Sequence, residues 1–212
     1  MRHQVQHLRA MGQKTETRGF FDLKKQFIFY ASYHNHPVNV AIHLLCIWNI
    51  LWSTLLLMHY TPAFLPTPDF LHKIPFLGSL PVNIAMITTV IYVVSYVLMD
   101  PVAGTLAALM VLFLNQWTGQ LVISGSPLMG FPLWQPILAF NALMWIIQFA
   151  GHGVFEKRAP ALLDSWDQAF ITAPLFVVLE VLFFFGYRKT FYKECMSEVD
   201  QEIRRFKTVK AQ

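Results

Sequence analysis

Between residues 37 and 155 the chain carries only three charged side chains, Asp69, Lys73 and Asp100. A soluble domain is about one-quarter charged, and a stretch this long with so few charges cannot cover itself with water. The whole 212-residue chain is 55% hydrophobic and 13% charged. It therefore reads as an integral membrane protein. Its net charge of +4 comes from the two ends. No basic and aromatic residues interleave in a folded core, so nucleic-acid binding is not expected. The basic ends suit an acidic membrane surface instead. Cys46 and Cys195 make neither a disulfide framework nor a cysteine-rich metal motif.

The apolar segments predict an all-α, polytopic helix bundle. "FFDLKKQFIFYA" at 20–31 sets Phe20, Phe27 and Phe29 beside Asp22, Lys24 and Lys25, as in an amphipathic helix lying on a membrane. About four spans follow, over 38–58, 82–99, 102–123 and 133–150. Pro37 suits the first turn of the first span, and "DP" at 100–101 makes a tight turn. A last apolar segment over 169–185 contains Pro174 and Glu180. The expected organisation is a polar basic tail at 1–19, one membrane-embedded domain at 20–187 and a charged helical tail at 188–212.

Lysine and arginine counts set the orientation. The N-terminal segment holds six, the 59–80 loop one, the 124–132 loop none, the 151–168 connector two and the C-terminal tail seven. Four spans put the N-terminus and the connector together on the cytosolic side. A fifth full span would send the most basic segment to the wrong side, so the last segment is expected to be re-entrant or buried in the bundle. The five-span arrangement is the alternative.

This topology sorts the histidines. "YHNHPVNVAIH" at 33–43 holds His34, His36 and His43, three of the chain's eight histidines, at the mouth of the first span. His43 lies about 10 Å deeper by helical rise. His152, in "GHGVFEKRAPALLD", lies at the cytosolic end of the fourth span. His59 and His72 fall on the opposite side, and His3 and His7 in the polar tail. Imidazole is costly in hydrocarbon without partners, so four histidines at one membrane face suggest a metal. Imidazoles with a carboxylate suit non-haem Fe(II), whereas three histidines and a water also make a catalytic zinc site. No HExxH is present, so zincin proteolysis is not supported. Glu156 shares a face with His152 if that segment is helical. It is a ligand, a partner of a histidine, or half of an exposed pair with Lys157 or Arg158. Asn39 orients a ligand or bonds the backbone. Glu180, a carboxyl in an apolar run, is a functional candidate, and Asp164 suits a helix start.

Two motifs, "FYASYHNHPVNVAIH" and "IIQFAGHGVFEKRAPALLD", followed by "TAPLFVVLE", resemble the fungal 2-hydroxy fatty acid dioxygenase family of the endoplasmic reticulum. The resemblance spans about 20–187 and makes that stretch the catalytic domain. It implies an Fe(II)- and O₂-dependent enzyme that shortens 2-hydroxy fatty acids such as 2-hydroxypalmitic acid by one carbon in phytosphingosine breakdown. It also implies a multi-pass protein with its site near the cytosolic face, and the bilayer and a 2-hydroxy acid as partners. By motif, His34, His43 and His152 are the implied iron ligands. His36 is a fourth ligand or a group behind the ligands. Glu156 carries a ligand or supporting catalytic role, while Asp164 and Glu180 orient or brace. The rival enzyme is a di-iron membrane desaturase or hydroxylase, which needs histidine boxes of the HxxHH type that are missing here. A bis-histidine haem carrier and a non-enzymatic lipid carrier or structural protein are the other readings.

Overall fold

The computed structural model describes residues 19–70, 73, 80–157, 159–160 and 168–210. His3, His7, His72, Arg158 and Asp164 lie outside the described residues. Every regular element among those described is helical, apart from two isolated β-bridges.

Helix α1, Leu23–Tyr33, starts at Asp22, whose Oδ1 accepts from the Lys25 backbone N–H at 3.1 Å. Leu23, Phe27, Tyr30 and Ala31 are buried on one face, at the three-and-four spacing of an amphipathic helix. It stops at His34, which leaves helical geometry (φ −126°, ψ 71°), and Pro37 holds the preceding His36 extended (φ −80°, ψ 127°). Pro37 then opens α2, Pro37–Met58, a 22-residue helix about 33 Å long by its rise. The chain returns through α3, Ile84–Met99, and turns sharply into α4, Pro101–Ser124. Asp100 makes that turn: its Oδ1 caps α4 by accepting from Val102 N at 3.0 Å and Ala103 N at 2.9 Å. Gly104 lets the two helices touch, since a Cβ there would collide with the Tyr96 carbonyl. Helix α4 ends on left-handed Gly125 (φ 62°), a conformation that costs glycine little.

Helix α5, Trp134–Gly151, packs along α2. Asn141 Nδ2 donates to Ser53 Oγ at 2.8 Å and Thr54 Oγ1 at 3.1 Å, joining the two inside the bundle. Past Gly151 the helix widens into one π-type turn, His152–Glu156. A second π-type turn, Gln168–Thr172, leads into α6, Ala173–Phe184. The chain then bends by 116° into α7, Lys189–Lys210.

Among the described residues, three helices are long and apolar enough to cross a membrane: Pro37–Met58, Pro101–Ser124 and Trp134–Glu156. The expected span over 82–99 has only 16 helical residues, about 24 Å against a hydrocarbon core of about 30 Å. The segment expected to be re-entrant or buried is short and sharply bent. Twelve residues in α6 rise about 18 Å, too little to cross alone, and Leu175, Phe176 and Leu179 are fully buried. The outward faces of the long helices are apolar, with Leu45, Leu109, Ile123 and Ile146 each about 60% exposed (64%, 59%, 60% and 62%). A belt of this kind is solvated by lipid rather than water. The architecture is a polytopic membrane helix bundle.

Candidate metal centre

Three elements bring three histidines together. His34 follows α1, His43 sits two turns into α2, and His152 opens the π-type turn after α5. One nitrogen of each ring lies within 4.8 Å of one nitrogen of each of the others. Ring centroids are 4.2 Å apart for His34 and His43, 4.9 Å for His34 and His152, and 4.8 Å for His43 and His152. All three are buried, at 8%, 3% and 3% exposure.

Two of the rings are held by the backbone. His34 Nδ1 lies 2.7 Å from the Tyr30 carbonyl, and His43 Nδ1 lies 2.9 Å from the Asn39 carbonyl. A carbonyl only accepts, so each Nδ1 carries the proton. Each neutral imidazole is thereby left with its lone pair on Nε2. This is how metal-binding histidines are ordinarily oriented: one nitrogen donates to the protein and the other is kept for the ion. The Tyr30 ring also stacks on His34, with centroids 4.2 Å apart. Buried lone pairs at this spacing repel unless a cation lies among them. The donor set fits a divalent metal that accepts imidazole, iron or zinc.

Around the histidines lies a bracket. Glu156 Oε1 accepts from the backbone N–H of Asn35 and of His36, each at 2.8 Å, and from Asn39 Nδ2 at 3.1 Å. The carboxylate thus ties the π-type turn after His152 to the turn between His34 and Pro37. Asn39 serves both sides, because its own carbonyl holds His43. Gly151 gives Asn39 its room: a Cβ there would lie 2.6 Å from Asn39 Oδ1, and the amide would have to shift.

His36 stands apart from the group of three. Its Nδ1 accepts from Val38 N at 3.2 Å, capping α2, and its ring stacks on Phe155. His59 is buried at the far end of α2, with Nε2 3.1 Å from the Asn115 carbonyl and Nδ1 3.3 Å from Asn83 Nδ2. It braces the opposite side of the bundle. Glu180 lies in α6 on the wall of a groove that also includes His34.

Gln148 did not stand out in the sequence. It is 6% exposed, one helical turn before His152, and its Nε2 is buried with no acceptor among the described residues. The spacing of four to His152 was the available signal, since residues i and i+4 share a helix face.

A family model described as "2-hydroxy-palmitic acid dioxygenase Mpo1-like" matches residues 20–185. The chain belongs to this family. The Mpo1-like match takes in all three clustered histidines, Glu156 and Gln148. Among curated proteins, the 2-hydroxy-palmitic acid dioxygenase MPO1 of Saccharomyces cerevisiae is 32% identical over 169 residues, covering 80% of this chain and 84% of the yeast protein. No solved structure matches.

Proposed function

We propose that this chain is an Fe(II)-dependent dioxygenase that shortens 2-hydroxy fatty acids by one carbon. The setting is phytosphingosine and sphingolipid breakdown at the endoplasmic reticulum membrane. The observation that carries this reading is the convergence of three buried imidazoles, two of them held at Nδ1 by backbone carbonyls. His34, His43 and His152 hold the metal. Zinc would fit the same nitrogens but has no redox chemistry, whereas membership of a dioxygenase family calls for it. Bound Fe(II) would supply the one-electron and O₂ chemistry that side chains lack.

The remaining residues act by placement. Tyr30 and Asn39 fix which nitrogen of His34 and His43 is protonated. Glu156 joins the two chain segments that carry His34 and His152, and so sets the separation of those rings. His36 caps the helix that carries His43. Burial of all three rings keeps bulk water from the centre. The di-iron alternative needs a second set of ligands, and among the described residues only one group of three was found.

Product analysis tests the reading. Purified protein with 2-hydroxypalmitate and O₂ is expected to release the fatty acid with one carbon fewer, and none when O₂ is excluded. His152→Ala is expected to lose both turnover and iron. A 2-hydroxy acid left unchanged by iron-loaded wild-type protein would refute the proposed activity and favour a carrier.

A further inference from the structure

A groove of about 720 Å³ runs between α1, α2, α6 and α7, and His34 is part of its wall. Of the three clustered histidines, His34 is the most exposed. The α2 side of the groove is apolar, with Pro37, Val40, Ala41 and Leu44 spaced three and four apart on one face. Val181 and Phe184 of α6 stand opposite. The few polar groups, including Asn35 and Glu180, come from the other elements. Leu44, Val181 and Phe184 are 37%, 44% and 86% exposed, so the groove opens onto the apolar outer surface of the bundle. It begins at Pro37, the membrane-surface end of α2, and reaches Leu44 about 10 Å deeper. That is the depth at which a membrane-dissolved acid has its carboxylate at the surface and its chain in hydrocarbon.

We propose that this groove is a lateral entrance through which a long-chain acid reaches the three-histidine centre from the bilayer, its polar end at His34 and its alkyl chain along Ala41 and Leu44. This rests on the 2-hydroxy fatty acid reading above. The occupant follows from His34, which belongs both to the groove wall and to the histidine group, from the apolar wall and from the opening onto lipid. A comparable cavity of about 620 Å³ lies between α2 and α4, lined by Trp48, Trp52, Leu109 and Trp117. No member of the histidine group lines it, so it serves as an internal control.

Ala41 is exposed, so Ala41→Trp fills the groove without disturbing packed core. It is expected to raise KM for 2-hydroxypalmitate about tenfold or more, the scale of one lost well-packed apolar contact. Iron content is expected to be unchanged, with a much smaller effect on 2-hydroxyhexanoate, whose short chain ends before the tryptophan. Leu109→Trp is expected to leave both acids unaffected. Equal effects of Ala41→Trp on the two acids, no effect on either, or the same shift from Leu109→Trp would overturn the entrance. Photolabelling of the wild-type protein with a 2-hydroxy acid carrying a diazirine on its chain gives a readout independent of turnover. Label within residues 37–44 or 181–184 supports the groove, and label confined to the α2–α4 cavity or spread without preference refutes it. If label falls in the groove but the iron-loaded protein consumes no O₂, the proposed chemistry fails and the entrance stands.

Discussion

Replacing Glu156 with alanine removes one oxygen that serves three donors, two of them backbone N–H groups. The turn at 34–37 then loses its tie to the segment carrying His152. Iron affinity is expected to fall about 10- to 100-fold, as when partners behind a ligand are lost, and the check is a metal-competition titration of the purified variant. Glu156→Gln keeps an oxygen but not the charge, so its loss is expected to be smaller. Gln148 makes a different prediction. A buried donor without an acceptor costs about 1–3 kcal/mol, so Gln148→Leu is expected to raise the thermal midpoint. If the amide is retained for the bound acid, the same variant turns over 2-hydroxypalmitate more slowly, and the paired measurement of Tm and kcat decides. At this scale the sequence was partly legible. His34, His36, His43 and His152 could be grouped because spacing and topology put them at one membrane face, and the family resemblance singled out His34, His43 and His152 among them. The job of His36 could not be read off, because its position before Pro37 serves helix capping as well as ligation. Glu156 was ambiguous for another reason: its reach across the site depends on a π-type turn that no periodicity announces.

Among the elements, Asp100 joins more of the fold than its place in a two-residue turn suggests. It is 1% exposed, caps α4, and accepts from Tyr187 Oη at 2.9 Å and Arg188 Nη1 at 2.7 Å. The turn between α3 and α4 is thereby fastened to the bend between α6 and α7. Asp100→Ala is expected to cost more than the ~1 kcal/mol of an ordinary lost cap, because two further donors lose their acceptor. A fall in the detergent-solubilised Tm larger than that of Arg188→Ala would show it. The pair of Lys24 Nζ with Glu198 Oε1 at 2.7 Å also joins distant helices, α1 and α7. Both side chains are substantially exposed, so its removal is expected to matter little. The long helices were legible because uninterrupted apolar runs and proline at N1 leave few alternatives. The shortness of α3 was less so, since Leu80, Pro81 and Val82 extend the apolar run but precede the cap at Asn83. The bend after α6 has a local signal in Gly186 (φ 92°), which ends the helix in left-handed geometry, but its direction is fixed by Tyr187 and Arg188 reaching Asp100, which local pattern does not encode.

For the molecule as a whole, the uneven distribution of lysine and arginine is the ground for expecting the metal centre to face the cytosol. Cysteine accessibility tests this directly, because native Cys46 and Cys195 are fully buried. In sealed microsomes a membrane-impermeant thiol reagent is expected to modify Ser197→Cys, on the exposed face of α7, and to spare Ser126→Cys in the loop after α4 until the membrane is opened. The reverse pattern would invert the orientation. The central claim is that His34, His43 and His152 together hold one catalytic iron. The most direct measurement is the metal content of protein purified without added chelator, beside the three single alanine variants. The account predicts one iron per wild-type chain and loss of iron from each variant. Two irons per chain, stoichiometric zinc in active protein, or full iron in the His43→Ala variant would contradict it.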